Sequence, residues 1–145
     1  EYPSLHFERA GKKGWSACTI TLVSSATAMR QCHMAGLSCY DPSSENIYIN
    51  ADNWTCVSSA CANARSSMAN YRRYVILHEV GHALGFAHTT CNEVGGTGPA
   101  PIMSQQTKGI GTCDPNHAPI RRLEEQALPK KLIELMSAVD KVPSN

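Results

Sequence analysis

Polar and apolar positions alternate along Cys18-Thr-Ile-Thr-Leu-Val23, and the run is rich in β-branched residues, which predicts a strand. Ser24 or Ser25 is placed to cap a short helix through Met29 to Cys32. Asn46-Ile-Tyr-Ile-Asn50 repeats the two-residue period with Ile47 and Ile49 on one face, a second predicted strand, and Leu5 to Phe7 is a further extended candidate. Residues 51–66 hold Asn, Ser, Cys and small side chains and read as a loop stapled to itself. From Ser67 to Leu84 the period changes: Tyr71, Tyr74, Val75, Leu77, His78, His82 and Ala83 recur at helical spacing, with Gly81 the only weak helix former inside. Gly85 is placed to end this helix, because a left-handed terminal residue is cheap only for glycine. Cys91 to Pro119, rich in Gly and Pro, reads as irregular. Helix returns over Leu123–Leu128 and, after Pro129, over Lys130–Val139, where Leu132, Leu135, Met136 and Val139 make one apolar stripe suited to core packing. Strands first and helices later predict an α+β domain without internal repeats.

Composition narrows the class. The 145 residues suit one domain, and 42% hydrophobic against 17% charged is globular rather than disordered. Thirteen basic and twelve acidic side chains leave a formal charge of +1, and no run of like charge exceeds two residues. A nucleic-acid groove or polybasic membrane patch needs clustered Lys and Arg, so neither partner is expected, nor is a membrane span, since no apolar run nears about 20 residues. Seven cysteines without a Cys-x-x-Cys pair point to disulfides, hence to a secreted, extracellular or periplasmic setting. The absence of a leader before Glu1 is what a mature form would show. Pairing by proximity gives Cys32–Cys39, Cys56–Cys61 and Cys91–Cys113, one of 105 ways to draw three pairs from seven. Cys18 is left over on a strand as a buried inert thiol, or as one that reaches zinc or a partner chain. Asn53-Trp54-Thr55 is a formal glycosylation sequon, relevant only in a eukaryotic source.

Residues 78–88 carry the chemistry: His-Glu-Val-Gly-His-Ala-Leu-Gly-Phe-Ala-His. Positions i and i+4 share a helix face, so His78 and His82 can offer nitrogens to one metal ion. Glu79 is rotated about 100° from His78 and is placed to take a proton from water rather than to ligate. A continued helix would carry His88 about a turn and a half past His82; the break at Gly85 lets it return as a third ligand. Three histidines leave one position of a tetrahedral zinc site open to water, whose pKa zinc lowers towards about 7. Glu79 then serves as general base and acid in hydrolysis of an amide. Three fixed positions of His-Glu-x-x-His arise by chance in roughly one such chain in a hundred, and the added glycine and histidine lower this to about one in ten thousand. His6, His33 and His117 lack ligand spacing and read as surface or capping residues.

This extended motif, followed by Pro101-Ile102-Met103-Ser104, resembles the metzincin zinc peptidases and their Met-turn. The stretch from Tyr71-Arg-Arg-Tyr through Pro-Ala-Pro-Ile-Met-Ser-Gln-Gln-Thr-Lys-Gly109 to Cys113 is similar, over about residues 30–120, to an uncharacterised bacterial family of small metzincin-like domains. The resemblance implies one zinc ion on His78, His82 and His88, an apolar floor at Met103, and a small twisted mixed sheet with an active-site helix. It implies one catalytic domain over 1–145, with an upper part to about 85 and an irregular lower part, about 86–145, that ends in a helix. It also implies a sheet strand that pairs with the bound peptide, for which Asn46 to Asn50 is the candidate, with Ile47, Tyr48, Ile49 and Asn50 as substrate residues. Ser104 and Gln105 begin a segment to Gly109 that would wall the pocket for the side chain after the scissile bond, in which Lys108 reads as a solvated surface lysine or, alternatively, as one that favours an acidic residue. Two positions depart from better-known groups: Thr89 follows the third histidine, and Gln105 stands where some groups have a tyrosine, so no tyrosine-assisted mechanism carries over. The expected protein is a secreted, monomeric zinc endopeptidase acting on peptide or protein substrates. The alternatives are a zinc-binding module without proteolysis and an amide hydrolase acting on a cell-wall or small-molecule substrate.

Overall fold

The computed structural model describes residues 18–56 and 65–124. The strand expected from Cys18 forms as β1, Thr19–Val23, and Ser24 caps α1, Ser25–Cys32, by accepting the Thr27 N–H at 3.3 Å. His33 ends α1 in the left-handed region at φ 54°. The second expected strand is β3, Asn46–Asn50, and it lies at the centre of a three-stranded mixed sheet of order β1-β3-β2. β1 runs parallel to β3, with Ile20 opposite Ile47 and Leu22 opposite Ile49. β2, Cys39–Asp41, runs antiparallel to β3, with Tyr40 opposite Ile47. The fold is α+β, as the order of patterns along the chain predicts.

Two elements depart from the sequence expectation. β2 was not anticipated; its three residues are too few to show a period, and its pairing with β3 defines it. Residues 51–54, expected as loop, form α2, Ala51–Trp54, because the buried Asn50 side chain caps it by accepting the Asp52 N–H at 3.0 Å. Asn53 sits on this turn only 3% exposed, its amide donating to the Gly36 carbonyl at 2.7 Å, so the sequon's acceptor nitrogen is inside the protein.

The long helix α3, Met68–Ala83, starts at Ser67, whose hydroxyl accepts the Asn70 N–H. Its buried face is Tyr71, Tyr74, Val75, His78, Glu79 and Gly81, the predicted spacing carried by polar as well as apolar groups. This face packs on β2 and β3, where Ile47 and Ile49 join Tyr71, Tyr74, Val75, Phe86, Ile102 and Met103 in one core cluster. From Gly85 to residue 124 the chain is irregular, apart from a short 3₁₀ turn at Asn92–Val94, an isolated bridge between Pro99 and Asp114, and α4, Arg121–Glu124. A second cluster there holds Cys91, Ala100, Ile110 and Cys113.

Disulfides join Cys32 to Cys39, tying the end of α1 to the start of β2, and Cys91 to Cys113. Cys56 is also disulfide-bonded, while its expected partner Cys61 lies outside the described residues. Cys18 is a free thiol, half-buried against the main cluster, and burial pushes its pKa up. The extended candidate at Leu5 to Phe7 and the helix over 130–139 also lie outside the described residues. Among the described residues no helix is long and apolar enough to cross a membrane.

Candidate metal centre

α3 ends where the motif needs it to. Phe86 N–H donates to the Gly81 carbonyl at 3.0 Å and Gly85 N–H to the His82 carbonyl at 3.0 Å, the paired bonds of a Schellman cap, with Gly85 at φ 90°. A side chain at Gly85 would be strained by that backbone angle alone. The reversal buries Phe86 and brings His88 back against the helix it has just left.

His78, His82 and His88 then place one ring nitrogen each within 4.8 Å of one another. Nδ1 of His78 lies 2.8 Å from the Ile102 carbonyl and Nδ1 of His82 lies 2.9 Å from the Phe86 carbonyl. A carbonyl only accepts, so both Nδ1 atoms carry the proton and both Nε2 atoms present lone pairs. Nε2 of His82 and Nε2 of His88 approach to 3.0 Å. Two ligands of one tetrahedral ion with bonds of about 2.0–2.1 Å stand about 3.3 Å apart, so this spacing suits a shared ion. Burial holds His78 down to about pKa 3, against the pull of the Ile102 carbonyl. Burial also lowers His82 and His88, and His88 is lowered further by His82 and Lys108. Neutral imidazoles are the protonation state a metal requires. The group could hold a metal ion.

Glu79 is 5% exposed, and burial pushes its pKa up to about 8, opposed by the Tyr40 backbone N–H, which donates to it. Its Oε2 is buried without a hydrogen-bond partner. A buried carboxylate atom without a partner costs about 1–3 kcal/mol or more, and a neighbouring cation or bound water would relieve that cost.

Met103 is 1% exposed, and its sulfur lies where a Cβ on Gly81 would stand, so the one weak helix former in α3 is the residue that admits Met103 against the helix backbone. The methionine turn also ties two ligands together. The Ile102 carbonyl takes His78, and the next carbonyl, that of Met103, accepts the Thr89 N–H at 3.2 Å, one residue past His88.

A cleft of about 370 Å³ opens over these groups, lined by the three histidines, Glu79, Tyr40 and Gln105 among others. Of the expected substrate residues, Gln105 is on it, half-buried. Ser104 lies outside this cleft: it is buried, and its hydroxyl donates to the Pro101 carbonyl at 2.8 Å. Assigning Asn46 to Asn50 as the peptide-pairing strand is corrected by the sheet. β1 pairs with all of β3 and β2 with Asn46 to Tyr48; Ile47, Ile49 and Asn50 are buried, and none of the five residues lines the cleft. Tyr48 is half-buried on the same central strand and is corrected with them. The strand on the cleft is β2, through Cys39 and Tyr40.

Sequence reasoning also missed Tyr74. Its buried hydroxyl accepts the Gln106 N–H at 2.9 Å and donates to the Ser104 carbonyl at 2.9 Å, fastening the cleft wall to α3 one turn before His78. Gln106 continues the link, bonding in both directions with Asn116.

The fold and site thus define a small α+β protein with a three-histidine group able to take a metal and a buried carboxylate beside it. Residues 1–130 match the family described as "Protein of unknown function (DUF3152)", and the chain belongs to that family. No curated protein and no solved structure matches it.

Proposed function

We propose that the protein is a secreted, zinc-dependent endopeptidase of metzincin type, working as a monomer on peptide or protein substrates. The observation that supports this best is the convergence of three histidine nitrogens, two of them fixed in tautomer, beside an unpartnered, buried Glu79 oxygen on a cleft. His78, His82 and His88 would hold the zinc, which when bound supplies a Lewis acid that polarises a carbonyl and makes water acidic near neutral pH. Glu79 takes the proton from the attacking water and passes it to the leaving amine, and its burial suits a group that must exchange a proton near pH 7. An extended peptide would pair with β2, the sheet strand that borders the cleft. Met103 supports His78 through the adjoining Ile102 carbonyl and fills the space below Gly81. The disulfides support placement in an oxidising compartment.

The test is metal analysis and a casein digest of the wild type and Glu79→Ala side by side. One zinc per chain in both, with cleavage lost by about 10³-fold or more in the variant, is expected of a general base. Stoichiometric zinc with intact casein in both would overturn the peptidase reading and leave a binding module or a hydrolase of other amides.

A further inference from the structure

Lys108 is exposed, as a solvated lysine would be, and its position bears on the other reading of it, a preference for an acidic group. The large cleft and a second one of about 300 Å³ share His88, Gln105 and Lys108, so the lysine stands at their junction. Among the described residues that line either cleft, the only other charged side chain besides the histidines is Glu79. Nothing acidic lines the second cleft, and among the described residues no carboxylate pairs with Lys108. The nearest acid in sequence, Asp114, lines neither cleft, and Glu93 is turned onto Thr90, whose hydroxyl donates to it at 2.7 Å.

The segment that carries Lys108 is anchored on both sides. Gln106 N–H donates to the Tyr74 hydroxyl, Thr107 Oγ1 lies 3.1 Å from the Tyr71 hydroxyl, and Lys108 N–H donates to the Gln105 carbonyl at 2.9 Å. A lysine on a mobile loop would share its charge with the whole solvent-facing surface. Here the backbone is fixed, and Lys108 lines the same two clefts as His88.

We propose that Lys108 selects ligands bearing a carboxylate, which it holds where the two clefts meet, beside the metal-capable histidines. This rests on the peptide-cleaving reading for the identity of the ligand, while the charge preference itself concerns only the cleft. A dication held by three neutral histidines and offset by one carboxylate would leave the cleft positive, and Lys108 adds to that. An anionic group therefore gains in encounter and in affinity, and the gain falls as salt rises. Two sources fit the chemistry, an acidic side chain and a free C-terminal carboxylate.

The probe is a set of dansylated alanine-based hexapeptides: one with Glu at successive positions, its Gln counterpart with an amidated C terminus, and the Gln peptide with a free C terminus. Binding to zinc-loaded Glu79→Ala protein is followed by fluorescence anisotropy, and cleavage by the wild type is followed separately on casein. Tighter binding of a Glu peptide than its Gln partner, by about fivefold at low salt and reversed by Lys108→Glu, supports an acidic side chain. A preference confined to the free C terminus, again reversed by Lys108→Glu, supports the terminal carboxylate. Equal binding of all peptides, a preference unmoved by Lys108→Glu, or no binding of any peptide overturns the proposal. Intact casein with charge-selective binding overturns only the peptidase reading, and cleaved casein without charge preference overturns only the role of Lys108.

Discussion

His78, Glu79 and His82 stand on a helix of 16 residues, whereas His88, Met103 and Lys108 stand on chain with almost no regular structure. The helix places its groups by period and by main-chain bonds every residue makes, so spacing alone sets the angle between two ligands. The irregular half has no such repeat and is held by particular pairs: one disulfide, the Gln106–Asn116 exchange, the Tyr74 hydroxyl, and the Thr89 bond to Met103. Arg65 adds another, donating to the Gly111 and Cys113 carbonyls at 3.2 and 2.7 Å. Repeated local bonds and single distant ones thus bring groups to the same few ångströms, but they fail differently. A lost cap frays the helix at one end, whereas a lost pair in the loop frees everything it alone restrained.

Removing the clip should break the contrast most sharply. Cys91→Ser with Cys113→Ser opens a loop of separation 22 and is expected to cost about 3 kcal/mol in denaturant unfolding. Hydrogen exchange should rise across 86–113 while amides in the middle of α3 keep their protection; equal loss in both would show the halves to be one cooperative unit. Tyr74→Phe removes the hydroxyl that satisfies both Gln106 N–H and Ser104 C=O, and about 2 kcal/mol should be lost. Its second signature is unchanged metal content, since the hydroxyl bonds the wall alone and phenylalanine keeps the ring that lies 5.5 Å from that of His78. The smallest effect belongs to the seam between the halves. Gly81→Ala sets a methyl against the Met103 sulfur, and overpacking less the gain in helix propensity leaves a net loss of about 1 kcal/mol. In a Met103→Ala background the same substitution should stabilise; destabilisation in both backgrounds would sink the steric account.

What could be read in the sequence follows the same division. β1, α1, β3 and α3 were legible because period and capping residues are local, and Ser24, Ser67 and Gly85 mark their ends. The histidine triad and Glu79 were legible because helical spacing plus one glycine fixes their relative positions. The order of strands in the sheet was not, since nothing in Asn46–Asn50 says that β2 will take its outer edge, and the strand bordering the cleft was therefore assigned one place inward. β2 itself owes its place to β3 and to the Cys32–Cys39 bridge rather than to any pattern of its own. Tyr71 and Tyr74 were recognised as a buried helix face, but the partners of their hydroxyls lie 36 and 30 residues away. Gly81 looked like a weakness in a helix until Met103 was seen against it.

The bridge between Cys91 and Cys113 has a topological consequence besides its effect on stability. It closes a covalent ring that contains Met103 and the part of the cleft wall formed by Gln105, Thr107 and Lys108, and leaves His88 just outside. Exposed positions such as Glu93, Gly95 and Thr97 lie on that ring, open to proteases and, on the proposed function, to another molecule of the same protein. A single cut there releases no fragment: both new ends stay attached, and the molecule runs as one species until it is reduced. Self-nicking in this loop would therefore be invisible on a non-reducing gel and would show as two bands with thiol.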